Sequence, residues 1–252
     1  METPGWSGAD WPASRTTTTQ ETTMFKAGID QDALIDMFSK ASAQQGEALR
    51  KAVSEATLKA LQGRELTVTN IRNVLKSVTQ AASSGAAQNA LPAADMEALL
   101  ARAFDGMDAA LLKAVQAQRA ALQQFVDQGV ELRNRQMKSA LANLEKMEDV
   151  FFSTVAKAAE GVGGPLQGPW EQVLDAMKLK GTDTGASAKA SLDTLMAQAQ
   201  SALREGRSAG LRGAEAMMSS FAALASGVLI GMSEGLQSAR PAAKPSAKSR
   251  AK

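Results

Sequence analysis

The chain has no cysteine, no histidine and no tyrosine, and aromatic residues are only 4% of it. Without thiols there are no disulfides and no cysteine nucleophile. With histidine also missing, most zinc sites and all imidazole acid–base chemistry are excluded. The absence of cysteine suits a cytosolic protein. Few bulky side chains are available to fill a deep core. Ala-rich helices with scattered Leu, Met and Phe therefore point to thin bundles or surface adsorption rather than to a globular enzyme. No secretory signal is expected, because Glu2 and Asp10 stand where a positive n-region belongs and no apolar h-region follows.

Signatures of chemistry that need no histidine are missing too. Gly161-Val-Gly-Gly164 lacks the Lys-Ser/Thr pair and the preceding strand of a phosphate loop. There is no GxSxG elbow. Glu145, Glu148 and Asp149 beside Lys146 read as a solvated helix face with i,i+3 and i,i+4 ion pairs. No metal-ligand spacing stands out. The expectation is a protein that is not an enzyme, with no catalytic residue, metal or cofactor.

What the chain does have is helical patterning. From Pro92 to Ala159 there is no further proline, the only glycines are Gly106 and Gly129, and Gly161, Gly163 and Gly164 close the stretch. Leu100, Leu111, Leu122, Leu144 and Val155 stand at multiples of eleven, interrupted by Arg133. Phe104, Val115, Val126, Met137 and Ala159 form a second row, interrupted by Glu148. Met107, Ala140 and Phe151 mark a third. Eleven residues in three turns is close to the relaxed α-helical period, so such a stripe runs nearly straight. One continuous helix here would be roughly 100 Å long, as in a coiled coil, a helical bundle or a surface-lying helix.

The rest of the chain repeats the theme. Residues 1–29 read as a disordered leader holding Trp6, Trp11 and the threonines around Thr16–Thr19. Met24 is the expected translation start; a natural leader is the alternative. Residues 30–90 are expected to form a helical hairpin. Its first helix is capped by Asp30 with a face from Leu34 to Ala60, and Gly63 ends it. Its second is capped by Thr67 or Thr69, carries Ile71, Val74, Leu75 and Val78, and frays into a loop at Ser83, Ser84 and Gly85. Residues 91–160 form the long central helix. Residues 161–185 form a hinge with a short helix that Trp170 starts, as a packed corner or an aromatic anchor at a lipid interface. Residues 186–239 form a second long helix with its face on Leu192, Leu195, Ala199, Leu203, Gly206, Gly210, Met217, Phe221, Leu224 and Val228.

The end of that helix has two further features. Ala216–Ser233 holds no ionisable side chain over 18 residues, the lower edge of a membrane-spanning length. Gly227, Gly231 and Gly235 have the four-residue spacing that lets two helix backbones approach closely. The remaining residues, 240–252, are a disordered basic tail. Arg240, Lys244, Lys248, Arg250 and Lys252 suit weak, salt-sensitive contact with nucleic acid or another anionic partner. Without them the body of the chain is mildly acidic.

The fold class expected is all-α: an elongated bundle of long amphipathic helices with disordered N- and C-terminal tails. Its packing face, or apolar contact surface, is Leu100, Phe104, Leu111, Val115, Leu122, Val126, Met137, Leu144, Phe151 and Val155. The pattern leaves open whether the stripes face one another, a partner subunit or a granule.

Met137-Lys-Ser-Ala-Leu-Ala-Asn-Leu-Glu145, Phe151-Phe-Ser-Thr-Val-Ala-Lys-Ala-Ala159 and the tail Ala242-Ala-Lys-Pro-Ser-Ala-Lys248 resemble phasin text. Phasins are the helical proteins that coat polyhydroxyalkanoate storage granules in bacteria. The resemblance covers residues 24–252 in style; this chain is longer than a minimal phasin and its last helix has a longer uncharged run. It implies a non-catalytic, cytoplasmic, granule-associated coat protein that binds a hydrophobic polymer, self-associates and limits granule coalescence, with a tail that touches the nucleoid. Two other classes stand beside it: a membrane-associated helical protein anchored by Ala216–Ser233, and a nucleoid-associated protein acting through the tail.

Overall fold

The computed structural model describes residues 29–41, 45–62, 64–127, 135–204 and 221–238. These form α1 (Gln31–Lys40), α2 (Gly46–Gln62), α3 (Val68–Ala87), α4 (Ala93–Asp127), α5 (Arg135–Glu145) and α6 (Met147–Glu160). A 3-10 turn (Gly164–Leu166), α7 (Gln167–Lys180), α8 (Asp183–Arg204) and α9 (Phe221–Ser238) follow. The described residues include no strand, and the fold is all-α.

Local chemistry sets the helix starts. The Asp30 carboxylate accepts from the Ala33 N–H at 3.0 Å, and Asp32 follows in the first turn, where the helix dipole favours an acid. Thr67, not Thr69, caps α3 by accepting from the Asn70 N–H at 3.1 Å. At the other end of α1, Asn89 donates to the carbonyls of Phe38 and Ala41, both at 2.9 Å. Those are acceptors that a helix C-terminus leaves without partners.

Helix α4 is the axis, about 50 Å long at 1.5 Å per residue, and α2, α3, α5, α7, α8 and α9 all pack on it. Helix α2 runs alongside it in the same direction. Gly46 lies under Arg102, Gly106 lies against Arg50 and Val53, and Gln118 reaches the Leu66 carbonyl at 3.4 Å. Helix α3 returns, bringing Thr79 to Met107, and carries α1 and α6 on its outer faces. Every α-helix contributes to one continuous apolar core.

Several sequence expectations are corrected. The central stretch is not one helix: Phe104 of α4 stacks on Phe151 of α6, ring centroids 4.4 Å apart. In a continuous helix those residues would be about 70 Å apart. The N-terminal helix is likewise two, because Ala41 is extended (φ −68°, ψ 141°) and ends α1 before α2 begins. Ser83, Ser84 and Gly85 are not a loop. Helix α3 continues to Ala87, and its small residues are buried because α1 comes close there.

The C-terminal stretch is not one continuous helix either. The first turn of α8 bonds to Asp108, whereas Phe221 of α9 meets Phe125, ring centroids 6.4 Å apart. These two points on α4 are about 26 Å apart, against about 57 Å along an unbroken helix from residue 183 to 221. Ile29, assigned to the leader, is a buried core residue. The expectations for residues 1–28, Gly63, Arg133, Gly206, Gly210, Met217 and residues 240–252 lie outside the described residues.

Candidate functional site

The residues expected to form an apolar contact surface are all inside. Leu100, Leu111, Val115, Leu122, Met137, Leu144, Phe151 and Val155 are 0% exposed, Phe104 is 1% and Val126 is 4%. In this state the stripes face one another. Trp170 is also interior: its Nε1 donates to Ser83 Oγ at 2.9 Å, so it is a packed corner and not an exposed anchor.

The glycine spacing at the end of the chain has a different outcome. A Cβ added at Gly227 or Gly231 would meet nothing within 4 Å, so these two mediate no close helix packing among the described residues. The reason is rotational: α9 buries Ala225, Ser226, Leu229 and Ser233, which turns Ala223, Gly227, Ile230 and Gly231 outward. Gly235 lies in α9 as well. The close approaches are made elsewhere, by Gly85 against the Ile35 carbonyl and Phe38, and by Gly106 against the Arg50 carbonyl and Val53. Among the described residues no helix is long and apolar enough to cross a membrane. The five basic tail residues, Arg240, Lys244, Lys248, Arg250 and Lys252, are outside the described set.

The densest polar constellation joins three helices. Asp108 of α4 is buried, four residues after Phe104 and three before Leu111, at a stripe position. Its carboxylate accepts from the N–H groups of Asp183 at 2.9 Å and Thr184 at 3.1 Å. Thr184 Oγ1 donates to the Asp108 carbonyl at 3.1 Å. Glu148 of α6 accepts from Thr182 N–H at 3.2 Å and Thr182 Oγ1 at 2.6 Å. Glu148 thus turns to α8 and not to Lys146, which corrects the solvated-face reading at that residue, while Glu145, Lys146 and Asp149 are exposed as it expects. Two carboxylates meet the positive N-terminal end of α8, where unpaired N–H groups need acceptors. Beside the cluster runs a groove of about 890 Å³ between α5, α6 and α8, floored by Leu141, Ala142 and Leu192 and rimmed by Lys138, Lys180 and Lys189. Among the described residues no group of acidic side chains could hold a metal ion.

Burial raises the Asp108 carboxyl above its ordinary 3.8, and the neighbouring Asp183 charge pushes the same way; hydrogen bonds from Thr184 and Asp183 oppose the rise. The folded carboxyl keeps its proton to higher pH than the unfolded one. Above 3.8 the folded state therefore binds more protons, and the Asp108 contribution to stability falls as pH rises through the raised pKa. Asp108→Asn keeps an acceptor and removes the titration. In urea melts between pH 3.8 and neutrality, the variant is expected to gain on the wild type as pH rises and then level off. A difference that shifts toward the wild type with rising pH would contradict the burial effect.

The fold and its surfaces define an all-helical bundle with internally paired apolar stripes, one helix uncharged from Phe221 to Ser233 and a carboxylate-capped helix junction. The chain belongs to a family of unknown function, DUF6781, whose family model matches residues 24–238. No curated protein and no solved structure matches it.

Proposed function

We propose that this is a non-catalytic, phasin-like helical coat or scaffold protein of the cytoplasm, which binds the surface of hydrophobic storage granules and self-associates there. The observation that carries the reading is the outward face of α9. Between Phe221 and Ser233 there is no charged residue, Ala223, Gly227 and Gly231 are open, and Ile230 is 37% exposed. Such a face is a place for first contact with a broad apolar body. The buried stripes support the second step, because helices that bury apolar rows against one another can bury the same rows against a polymer when the bundle opens.

Placing a charge on that face tests the reading. A fluorescent fusion of the wild-type chain is expected to ring polymer granules in cells that accumulate them. Ile230→Lys is expected to lower the bound fraction about tenfold or more, since burying one such side chain contributes about 1.5–3 kcal/mol. A wild-type fusion that stays diffuse among granules would refute the proposal.

A further inference from the structure

We propose that α8 and α9 form a detachable layer of the bundle, latched to α4 and α6 through the first turn of α8. Its release would expose the α4 face carrying Leu111, Val115 and Leu122. As a route to an apolar surface this rests on the function proposed above; as a property of the fold it stands alone.

The first argument is what the layer buries. Helix α8 has 22 residues and α9 has 18, yet among the described side chains Leu195 and Leu229 are the only large apolar ones that either buries fully. Their other buried positions are Ala188, Ala199 and Ala225 together with Thr184, Ser191, Ser226 and Ser233. Helix α3, with 20 residues, buries Ile71, Val74, Leu75 and Val78 at 0% exposure. Apolar area removed from water is the main force holding one helix on another, and with Leu192, Phe221, Leu224, Val228 and Met232 only half-buried, α8 and α9 are held less strongly than α3 through their described side chains. Elements with few large buried contacts open first.

The second argument is where the layer is fixed: α9 at its start, where the Leu66 N–H donates to the Ala222 carbonyl at 3.2 Å and Ser226 Oγ donates to the Arg64 carbonyl at 2.7 Å, and α8 at its first turn. Five hydrogen bonds converge on residues 182–184, from Asp108 of α4 and Glu148 of α6. Just before them Gly181 is in the left-handed region (φ 77°), with nothing within 4 Å of an added Cβ. Leu179 beside it is 91% exposed. A strong local latch next to an open glycine is the arrangement of a hinged element.

The third argument is what lies around and beneath. The groove of about 890 Å³ runs along α8 on its α5 side, so that flank is packed only in part. Ser191 Oγ on α8 and Gln118 Oε1 on α4 are buried without a hydrogen-bond partner among the described residues, so opening to water would satisfy both. Leu111, Val115 and Leu122 follow Asp108 by three, seven and fourteen residues and share its face of α4.

Hydrogen exchange of the full-length protein, followed by mass spectrometry, tests the layer. Amides of α8 and α9 are expected to exchange at least tenfold faster than those of α3 and central α4. Asp108→Ala should speed α8 and α9 a further fivefold or more and leave α1–α3 unchanged. Exchange of α8 and α9 in step with α2–α4, or equal acceleration of every helix in the variant, would overturn the proposal. A locking variant keeps the test open if Asp108→Ala folds poorly. The chain has no cysteine, so Asp108→Cys with Thr184→Cys allows a single cross-link between α4 and α8. Oxidation should slow α8 exchange at least tenfold and abolish adsorption to polyhydroxyalkanoate particles, and reduction should restore both. Undiminished adsorption by the oxidised protein would show that this layer is not what opens. If the unmodified wild type fails to adsorb, the proposed function fails while the exchange data still decide the layer.

Discussion

Replacing Trp170 with alanine is expected to lower the unfolding free energy by about 3–5 kcal/mol, the range for truncating a buried large aromatic. Trp170 is 1% exposed and is the largest fully buried side chain described. It is also where α7 is tied to α3, because its indole N–H donates to Ser83 Oγ and Ser83 Oγ in turn donates to the Thr79 carbonyl at 2.7 Å. Truncation leaves a cavity among α3, α4 and α7 and removes the indole N–H that donates to Ser83 Oγ. Trp170→Phe divides the effect: it keeps most of the apolar area and loses the hydrogen bond, which is worth about 1 kcal/mol. Urea melts followed by circular dichroism measure both variants without relying on Trp6 and Trp11. A loss below about 1 kcal/mol for the alanine variant would mean that α7 is not part of the cooperative core.

The apolar residues were legible in the sequence; their partners were not. Leu100, Leu111, Leu122, Leu144 and Val155 are all buried, as an inward stripe requires. Yet Leu122 lies on α4 and Leu144 on α5, and the eleven-residue phase carries over from one to the other. Each segment keeps one face inward, so periodicity alone does not register the reversal. The missed cluster did leave a signal. Asp108 lies on the apolar face between Phe104 and Leu111 though in none of the three rows, and Glu148 interrupts the second row. A carboxylate at a stripe position must find donors, and both found them at the start of α8.

The glycines mislead in a similar way. The regular spacing of Gly227, Gly231 and Gly235 suggested close packing, but Gly227 and Gly231 face open space. Gly85 instead continues the buried heptad of Ile71 and Val78, and Gly106 sits among Leu99, Ala103, Ala110 and Ala114 on the small-residue face of α4. A lone glycine inside an otherwise continuous buried row was the better indicator, since only a nearby backbone explains it.

That difference predicts opposite signs for one substitution. In an unconstrained helix interior, Gly→Ala stabilises by up to about 1 kcal/mol. Gly227→Ala is expected to follow that rule, because an added methyl there meets nothing within 4 Å. At Gly85 the same methyl would lie 2.5 Å from the Ile35 carbonyl oxygen and 2.5 Å from Phe38 Cβ. At Gly106 it would lie 2.6 Å from the Arg50 carbonyl oxygen and 2.9 Å from Val53 Cβ. None of these is the free end of a flexible side chain, so α1 or α2 must move as a body. Moving α1 also loosens the two Asn89 bonds at its C-terminus. Overpacking of this kind costs about 1–3 kcal/mol and outweighs the propensity gain. The two glycines serve different helix pairs, so their effects should add, giving about 2–6 kcal/mol for the double variant. A domain with a typical stability of about 5–15 kcal/mol would then be close to unfolding. Urea melts of the three single variants and the double variant decide the matter. If Gly85→Ala and Gly106→Ala stabilise as Gly227→Ala does, the close approach of α1 to α3 and of α2 to α4 is wrong.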